Sequence, residues 1–412
     1  MIKKNNSYLI NEGYQNNTNL FESGKGSKIV LNGKSFLDLS LGAGTQILGH
    51  NSLVFKKTIK SMVKENITLL CTPNKQANSF SRVLKKMFPN KHKFIFCNTG
   101  TEAMIKALRI CHAITDKNLI LSVTGSWHGS VDNLLFTSGK NLKANPLSAG
   151  IAKNFQKKIK FIPYNDIKTS EKIIKKYRKK AACIVIEPIQ GCLPLEEAKS
   201  YLKFLRNISK KYKINLIFDE LITGLRTDGR SLQTYFNIKP DISTFGKCFG
   251  GGLPIGIIAI TKKVYNSIYK KNPKVFFGGT FSGNSLSTYV GKEITTYILK
   301  NKKKIFPKLE NTSKLFQTKL NEFFVEEKIK AKVYRFKSLL RVVYTDKQPK
   351  NRVQRDFFEH KNQGKIPLMK NFLFSKKIYY PNNGVIFFSD KINKGELEYL
   401  IKNFKMGFKK FF

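Results

Sequence analysis

Cysteine is sparse in this chain. Six residues, Cys71, Cys97, Cys111, Cys183, Cys192 and Cys248, are scattered through 412. Their spacing shows no metal-type pairing, and several fall in apolar segments. That pattern argues against a thiolate metal centre or a disulfide scaffold and for reduced thiols in a cytoplasmic protein. Long apolar runs are also missing. None follows Met1-Ile2-Lys3-Lys4, so neither a signal peptide nor a membrane span is expected. Acidic residues are few, 27 against 75 Lys and Arg, giving a formal net charge of +48. A basic excess of this size raises nucleic acid or an anionic membrane as a partner. The charge is not gathered in a tail, however. Short clusters such as Lys175-Lys176-Tyr177-Arg178-Lys179-Lys180 and Lys302-Lys303-Lys304 are spread over predicted helices, and Asn, Ile and Phe are abundant beside Lys. A compositional bias accounts for this. Salt-sensitive adhesion to polyanions is expected, with no specific nucleic-acid site and no membrane partner. No internal repeat or low-complexity linker stands out.

What is present is more informative. A hydrophobic content of 41% over 412 residues can bury a main core and a smaller one. The apolar run from Asp241-Ile242 ends in Gly246-Lys247 and is followed at once by Gly250-Gly251-Gly252-Leu253-Pro254-Ile255-Gly256. A lysine alone is ordinarily a solvated charge. One fixed at the end of a buried strand, with backbone free to approach it, can condense with an aldehyde cofactor. Upstream, Ile214-Asn215-Leu216-Ile217-Phe218-Asp219-Glu220 reads as a buried parallel strand. It places Asp219 where open α/β sheets hold their ligands. An Asp there can simply begin a loop; it can also serve as the carboxylate that keeps the pyridine nitrogen of pyridoxal phosphate protonated.

Two further units have the same form. Lys93-Phe94-Ile95-Phe96-Cys97 reads as a strand, Asn98-Thr99-Gly100-Thr101 as a turn, and Glu102 onward as a helix. Many capped helix starts bind nothing, but this one offers N–H groups, hydroxyls and a positive dipole end to an anion. Gly125-Ser126-Trp127-His128-Gly129 follows the strand Leu119 to Val123 and carries the only tryptophan. That ring suits either a core position or a stacking platform for a planar group.

Taken together, these motifs resemble the class III aminotransferases of the type I pyridoxal-phosphate fold. Within them the glutamate-1-semialdehyde 2,1-aminomutase group is most alike. Ile47-Leu48-Gly49-His50, Asn98 to Ala103, Trp127-His128-Gly129, Tyr164-Asn165-Asp166, Glu187-Pro188, Thr223 to Arg226 and Gly278 to Asn284 occur in the family's order. The resemblance implies pyridoxal 5'-phosphate as cofactor, with Lys247 as its covalent anchor and proton shuttle and Asp219 paired to the ring nitrogen. It implies Thr99, Gly100 and Thr101 around the phosphate. Trp127 stands in place of a stacking tyrosine, beside His128 and Glu187, and Leu221 in place of a valine on the opposite ring face. Gly279 and Thr280 are expected to reach the phosphate of a neighbouring subunit, in a homodimer with shared active sites. Substrate-side motifs depart from the group. Gly42-Ala43 replaces a Ser-Trp pair, Cys192 replaces an Asn, and Pro381-Asn382-Asn383-Gly384-Val385 lacks a glutamate. Arg341 and Arg226 are candidates for a substrate carboxylate, or for structural ion pairs.

The expected architecture is α/β: a mostly parallel sheet sandwiched by helices, with a small α+β domain built from the two chain ends. Residues 1–51 form the N-terminal segment, 52–301 the cofactor-binding domain and 302–412 the C-terminal small domain. Thr137 to Lys157 is expected to form a lid. Three functions follow: an aminomutase acting on an amino-aldehyde, an intermolecular aminotransferase using a small amino donor, or a non-catalytic cofactor- or polyanion-binding protein. Retention of Lys247, Asp219 and the phosphate turn argues against the third.

Overall fold

The computed structural model describes residues 19–67, 73–270 and 275–412; Cys71 and the first four residues lie outside them. Seven short apolar segments become the strands of one sheet. They are β1 (Lys93–Cys97), β2 (Leu119–Val123), β3 (Ile159–Ile162), β4 (Ala181–Ile186), β5 (Asn215–Asp219), β6 (Ile242–Gly246) and β7 (Gly256–Ile260), in the spatial order β1-β7-β6-β5-β4-β2-β3. The pairs β6/β5, β5/β4, β4/β2 and β2/β3 are parallel, and β7 runs antiparallel to both its neighbours. The mostly parallel sheet read from the sequence is therefore present, with β7 as its one reversed strand.

Both faces of this sheet are covered, which explains the near-continuous apolar character of its strands. Side chains alternate across a strand. Ile184, Ile186, Leu216 and Phe218 pack with Tyr201, Leu202 and Leu205 of the helix Lys199–Lys211. Cys183, Val185 and Ile217 point the other way, into a cluster with Met104, Ala107 and Cys111 of the helix Gly100–Thr115. Burying one large aliphatic or aromatic side chain contributes about 1.5–3 kcal/mol, so these two layers hold the loops at the strand ends in place.

The chain ends meet in smaller sheets. Strands Ser23–Lys25, Lys28–Leu31 and Lys34–Asp38 form an antiparallel meander, and Ile378–Tyr379 adds to it in parallel beside Leu37 and Asp38. Lys332–Phe336, Leu339–Val343 and Val385–Phe387 form a second antiparallel sheet. Helices Ser285–Lys300, Lys302–Glu326 and Lys394–Phe411 pack around it. The expected lid contains a hairpin of Phe136–Ser138 with Ala144–Pro146, then a short helix, Lys153–Lys157. Among the described residues no helix is long and apolar enough to cross a membrane.

One buried polar network lies beside the central strands. Lys91 is fully buried and donates to the Pro240 carbonyl at 2.8 Å. Arg206 pairs with Asp241 at 2.9 Å, and Asp241 also accepts from the Leu216 amide. Glu220 is fully buried and accepts from the Leu232 and Gln233 amides and the Gln233 side chain. Burial pushes the Glu220 carboxyl up to about 7 and the Lys91 ammonium down to about 7, because loss of water disfavours each charged form.

Glu220 therefore makes stability fall with pH. Its carboxyl holds a proton in the folded state that the unfolded chain releases near 4.5. The associated stability is complete below that value and is lost as the pH rises through about 7. Glu220→Gln lacks this dependence. Between about pH 5 and pH 8 the variant should gain on the wild type by a few kcal/mol of unfolding free energy, read from denaturant titrations at each pH. A difference that stays constant over that range would mean that Glu220 is already ionised in the fold.

Candidate active site

Five of the residues singled out in the sequence sit at or just beyond the carboxyl ends of neighbouring strands. Asp219 closes β5, Lys247 follows β6, Glu187 follows β4, and the Trp127 and Thr99 turns follow β2 and β1. In a parallel sheet those ends share one edge, so residues far apart in sequence converge there.

Asp219 is the best-fixed of them. Its Oδ2 lies 2.7 Å from His128 Nδ1, and its Oδ1 accepts from the Leu221 amide and from Thr244 Oγ1, both at 3.2 Å. Both Asp219 and His128 are buried. A carboxylate offers about four lone-pair sites, so three bonds leave capacity for one more donor. His128 Nε2 is buried without a partner.

Lys247 has φ +48°, in the left-handed region that side chains other than Gly rarely adopt. A short 3-10 turn, Lys247–Gly250, begins there, and Gly251 and Gly252 continue at φ +59° and +106°. The lysine is held rather than merely exposed. A Cβ on Gly246 would lie 2.7 Å from the Leu221 side chain and 2.8 Å from the Ile255 carbonyl. Burial lowers the Lys247 pKa, and the negative charges of Glu187 and Asp219 act against that fall. Glu187 accepts from the Trp127 amide at 2.8 Å and the Gly191 amide at 3.4 Å. Its carboxyl is pushed up to about 7, chiefly by burial and then by Asp219.

Thr99 caps the helix Gly100–Thr115, its hydroxyl accepting from the Glu102 amide at 3.1 Å. The first amides of a helix have no intrahelical partner, which leaves those of Gly100 and Thr101 for an anion. Close packing defines a cradle here. A Cβ on Gly100 would lie 2.5 Å from Leu221, and one on Gly129 would strike Thr101 Oγ1. Thr101 Oγ1 also accepts from the Ser130 amide at 3.2 Å, tying this turn to the Trp127-His128-Gly129 segment. A buried carboxylate with spare acceptor capacity, a lysine on the next strand and a helix N-terminus walled by Leu221 fit a planar phosphorylated aldehyde.

Other expected residues have different surroundings. Gly279 and Thr280 are exposed in a turn fastened to the same helix by Lys106 to Ser282 (3.3 Å) and Arg109 to the Phe276 carbonyl (2.6 Å). Gly42 and Ala43 are exposed and belong to four consecutive left-handed residues, Leu41 to Gly44 (φ +46°, +62°, +55° and +86°). The Gly44 carbonyl accepts from Arg226 at 2.7 Å and from Cys248 at 3.0 Å. Arg226 also reaches Ser338 and lies over the Phe387 ring, so its role is structural. Arg341 is engaged by the Asn383 carbonyl and by Glu359. Cys192 donates to the Gly125 carbonyl at 3.3 Å. Sequence reading missed Thr244, although the pairing of Asp219 with Thr244 follows from aligning β5 and β6 in parallel. It also missed Arg352 and Arg355, which lie about a hundred residues from any motif.

Comparison with known proteins agrees with this geometry. The profile of the family described as Aminotransferase class-III matches residues 9–365. A glutamate-1-semialdehyde 2,1-aminomutase of Thermodesulfovibrio yellowstonii is 33% identical over 331 residues, 79% of this chain and 76% of that protein. That of Methanococcus maripaludis is 34% identical over 323 residues, 77% of this chain and 74% of its own. Among solved structures, an omega-transaminase from Sphaerobacter thermophilus superposes with a TM-score of 0.87 at 22% identity, covering 95% of this chain and 91% of that one. A glutamate-1-semialdehyde-aminomutase from Pseudomonas aeruginosa in complex with PMP gives 0.85 at 16% identity, covering 96% and 88%. At such identities the structural likenesses establish the fold. With the family profile spanning most of its length and relatives above 30% identity over three quarters of it, the chain belongs to the class III aminotransferases, enzymes that work with pyridoxal 5'-phosphate.

Proposed function

We propose that this protein moves amino groups as a glutamate-1-semialdehyde 2,1-aminomutase-like enzyme, with Lys247 and Asp219 as its central residues. The observation that carries the reading is the Asp219 carboxylate, fixed by His128, Thr244 and the Leu221 amide one strand away from Lys247. When bound, pyridoxal 5'-phosphate supplies an electrophilic aldehyde and a ring that withdraws electrons from the substrate Cα. Asp219 holds a proton at the ring nitrogen, and His128 keeps the carboxylate aimed. Thr99, Gly100 and Thr101 take the phosphate, and Trp127 and Leu221 bound the two ring faces. Burial lowers the Lys247 pKa, which enlarges the fraction of neutral amine able to attack an aldehyde and to take and return the Cα proton.

A second reading, intermolecular transfer to another aldehyde or keto compound, is favoured by Gly42, Ala43 and Cys192, where the aminomutase group carries larger or more polar residues. Half-reaction rates for glutamate-1-semialdehyde beside a panel of amines separate the two. Fast conversion of the semialdehyde supports the aminomutase, and slow conversion with a faster alternative amine supports the transaminase.

The enzyme is also proposed to be a cytoplasmic homodimer with Thr280 completing the partner's phosphate site. Phe276 and Phe281 flank Gly279 and Thr280 and are 73% and 63% exposed in the single chain, an apolar surface suited to a partner subunit. Residues 1–51 and 302–412 are proposed as one small domain around 52–301, a division supported by the parallel pairing of Ile378 with Leu37.

Purified protein with cofactor should be yellow, and Lys247→Ala should lose both the visible band of the lysine linkage and turnover. A wild type that gains no colour with added pyridoxal phosphate would sink the reading. Asp219→Asn should retain cofactor yet transaminate orders of magnitude more slowly, because an unprotonated ring is a poor electron sink; near-normal rates would assign ring protonation to another group. Gly42→Ser should cost about 1 kcal/mol or more of stability for its left-handed backbone. Its Cβ would in addition sit 2.7 Å from Thr45 Oγ1. An unchanged melting temperature for this variant would show that the turn relaxes freely.

A further inference from the structure

Three arginines from the C-terminal part of the chain converge beside the Trp127 turn. Arg341 lies on the strand Leu339–Val343, and Arg352 and Arg355 lie on the helix Arg352–Glu359. Two of them are consumed by the protein. Arg355, with 5% of its side chain exposed, binds the Cys192 carbonyl, Asp356 and Glu359 (3.2 Å). Arg341 is shared between the Asn383 carbonyl and Glu359.

Arg352 is different. Its Nε meets Asp356 at 3.3 Å, a carboxylate whose side chain is 49% exposed, and its Nη1 makes only a 3.5 Å contact to the Gly125 carbonyl. Its Nη2 donates to nothing among the described residues. Exposed ion pairs of this i,i+4 kind contribute little and yield to a better ligand. The guanidinium therefore keeps most of its fork.

The fork also has a defined place. A Cβ on Gly125 would lie 2.7 Å from Arg352 Cβ, so the arginine packs against the turn two residues before Trp127. The Trp127 amide is bound to Glu187, which acts electrostatically on both Lys247 and Arg352. Around it, Arg341 Nε and Gln190 Oε1 are buried and without partners. Three guanidinium groups here face two carboxylates, Asp356 and Glu359, which leaves the cluster positive.

We infer that Arg352 anchors an anionic group, a carboxylate or a phosphate, at the end of the substrate remote from the amine that Lys247 handles. The inference rests on the proposed function and specifies which substrates that site accepts. A planar fork receives either anion through paired hydrogen bonds, and charge-assisted bonds of this kind discriminate strongly against a neutral analogue.

The test uses the cofactor-loaded enzyme and three amines of similar length: butylamine, 4-aminobutyrate and 3-aminopropylphosphonate. Half-reaction kcat/KM values are followed by cofactor absorbance. The wild type should prefer at least one anionic amine over butylamine, and the preferred anion identifies carboxylate or phosphate as the group bound. In Arg352→Ala that preference should fall roughly 10- to 100-fold, the size of one or two charge-assisted hydrogen bonds, mainly through KM. Arg352→Lys should lie between the two, since it keeps the charge and loses the fork. Butyrate, which has no amine to transfer, should bind the wild type more tightly than Arg352→Ala by isothermal titration. A preference unaltered in Arg352→Ala, or a wild type indifferent to the anion, overturns the assignment while the visible band of Lys247 is intact. Absence of that band in the wild type would instead be the failure of the proposed function, and the inference would fall with it.

Discussion

The Asp219 carboxylate, held against His128 at the end of the central strand, is the interaction on which the site depends. Its position between β4 and β6 brings Glu187 to one side and Lys247 to the other. An isolated carboxylate at such a depth would protonate or disrupt the fold. Bonds from His128, Thr244 and the Leu221 amide keep it anionic and aimed. The same contacts fix the turn containing Leu221, which forms a wall for the phosphate cradle, and the turn containing Trp127. One buried acid thus orients three separate loops.

Close backbone approach is the second constraint. Gly100 and Gly246 both press on Leu221, Gly129 presses on Thr101, and Gly256 presses on the Thr99 carbonyl. Each contact would be lost or strained by a methyl group, so the cradle is defined by what is missing from these residues. Left-handed backbone recurs beside it, at Lys247 and through Leu41 to Gly44. For non-glycine residues that conformation costs about 1–2 kcal/mol each. The Gly44 carbonyl, clamped by Arg226 and Cys248, holds the strained N-terminal turn against the lysine loop.

Electrostatics around the site follow from burial more than from the chain's large basic excess. Glu187 and Glu220 are pushed up to about 7 by loss of water, and Lys247 is lowered by the same cause. The many exposed lysines lie in solvent, where screening reduces their influence. The buried arginines are matched instead by specific carboxylates and carbonyls. Arg352 stands out because its only charged partner is half in water.

Much of the fold and part of the site were legible in the sequence, since the relevant signals are local. Strand ends at Cys97, Val123, Asp219 and Gly246, the Asn98 to Thr101 turn and the glycines after Lys247 each follow from apolar runs, caps and breakers within about ten residues. Those signals sufficed to point to Lys247, Asp219 and Thr99. Tertiary structure decided the rest, because the contacts span distances that no local pattern encodes. His128 meets Asp219 across 91 residues, and Arg355 meets the Cys192 carbonyl across 163. Arg226 and Arg341 read equally well as substrate ligands or as structural residues until the Gly44 and Asn383 carbonyls were seen to engage them. A side chain's chemistry is written in its identity, but whether its donors are spent depends on which backbone the fold brings beside them.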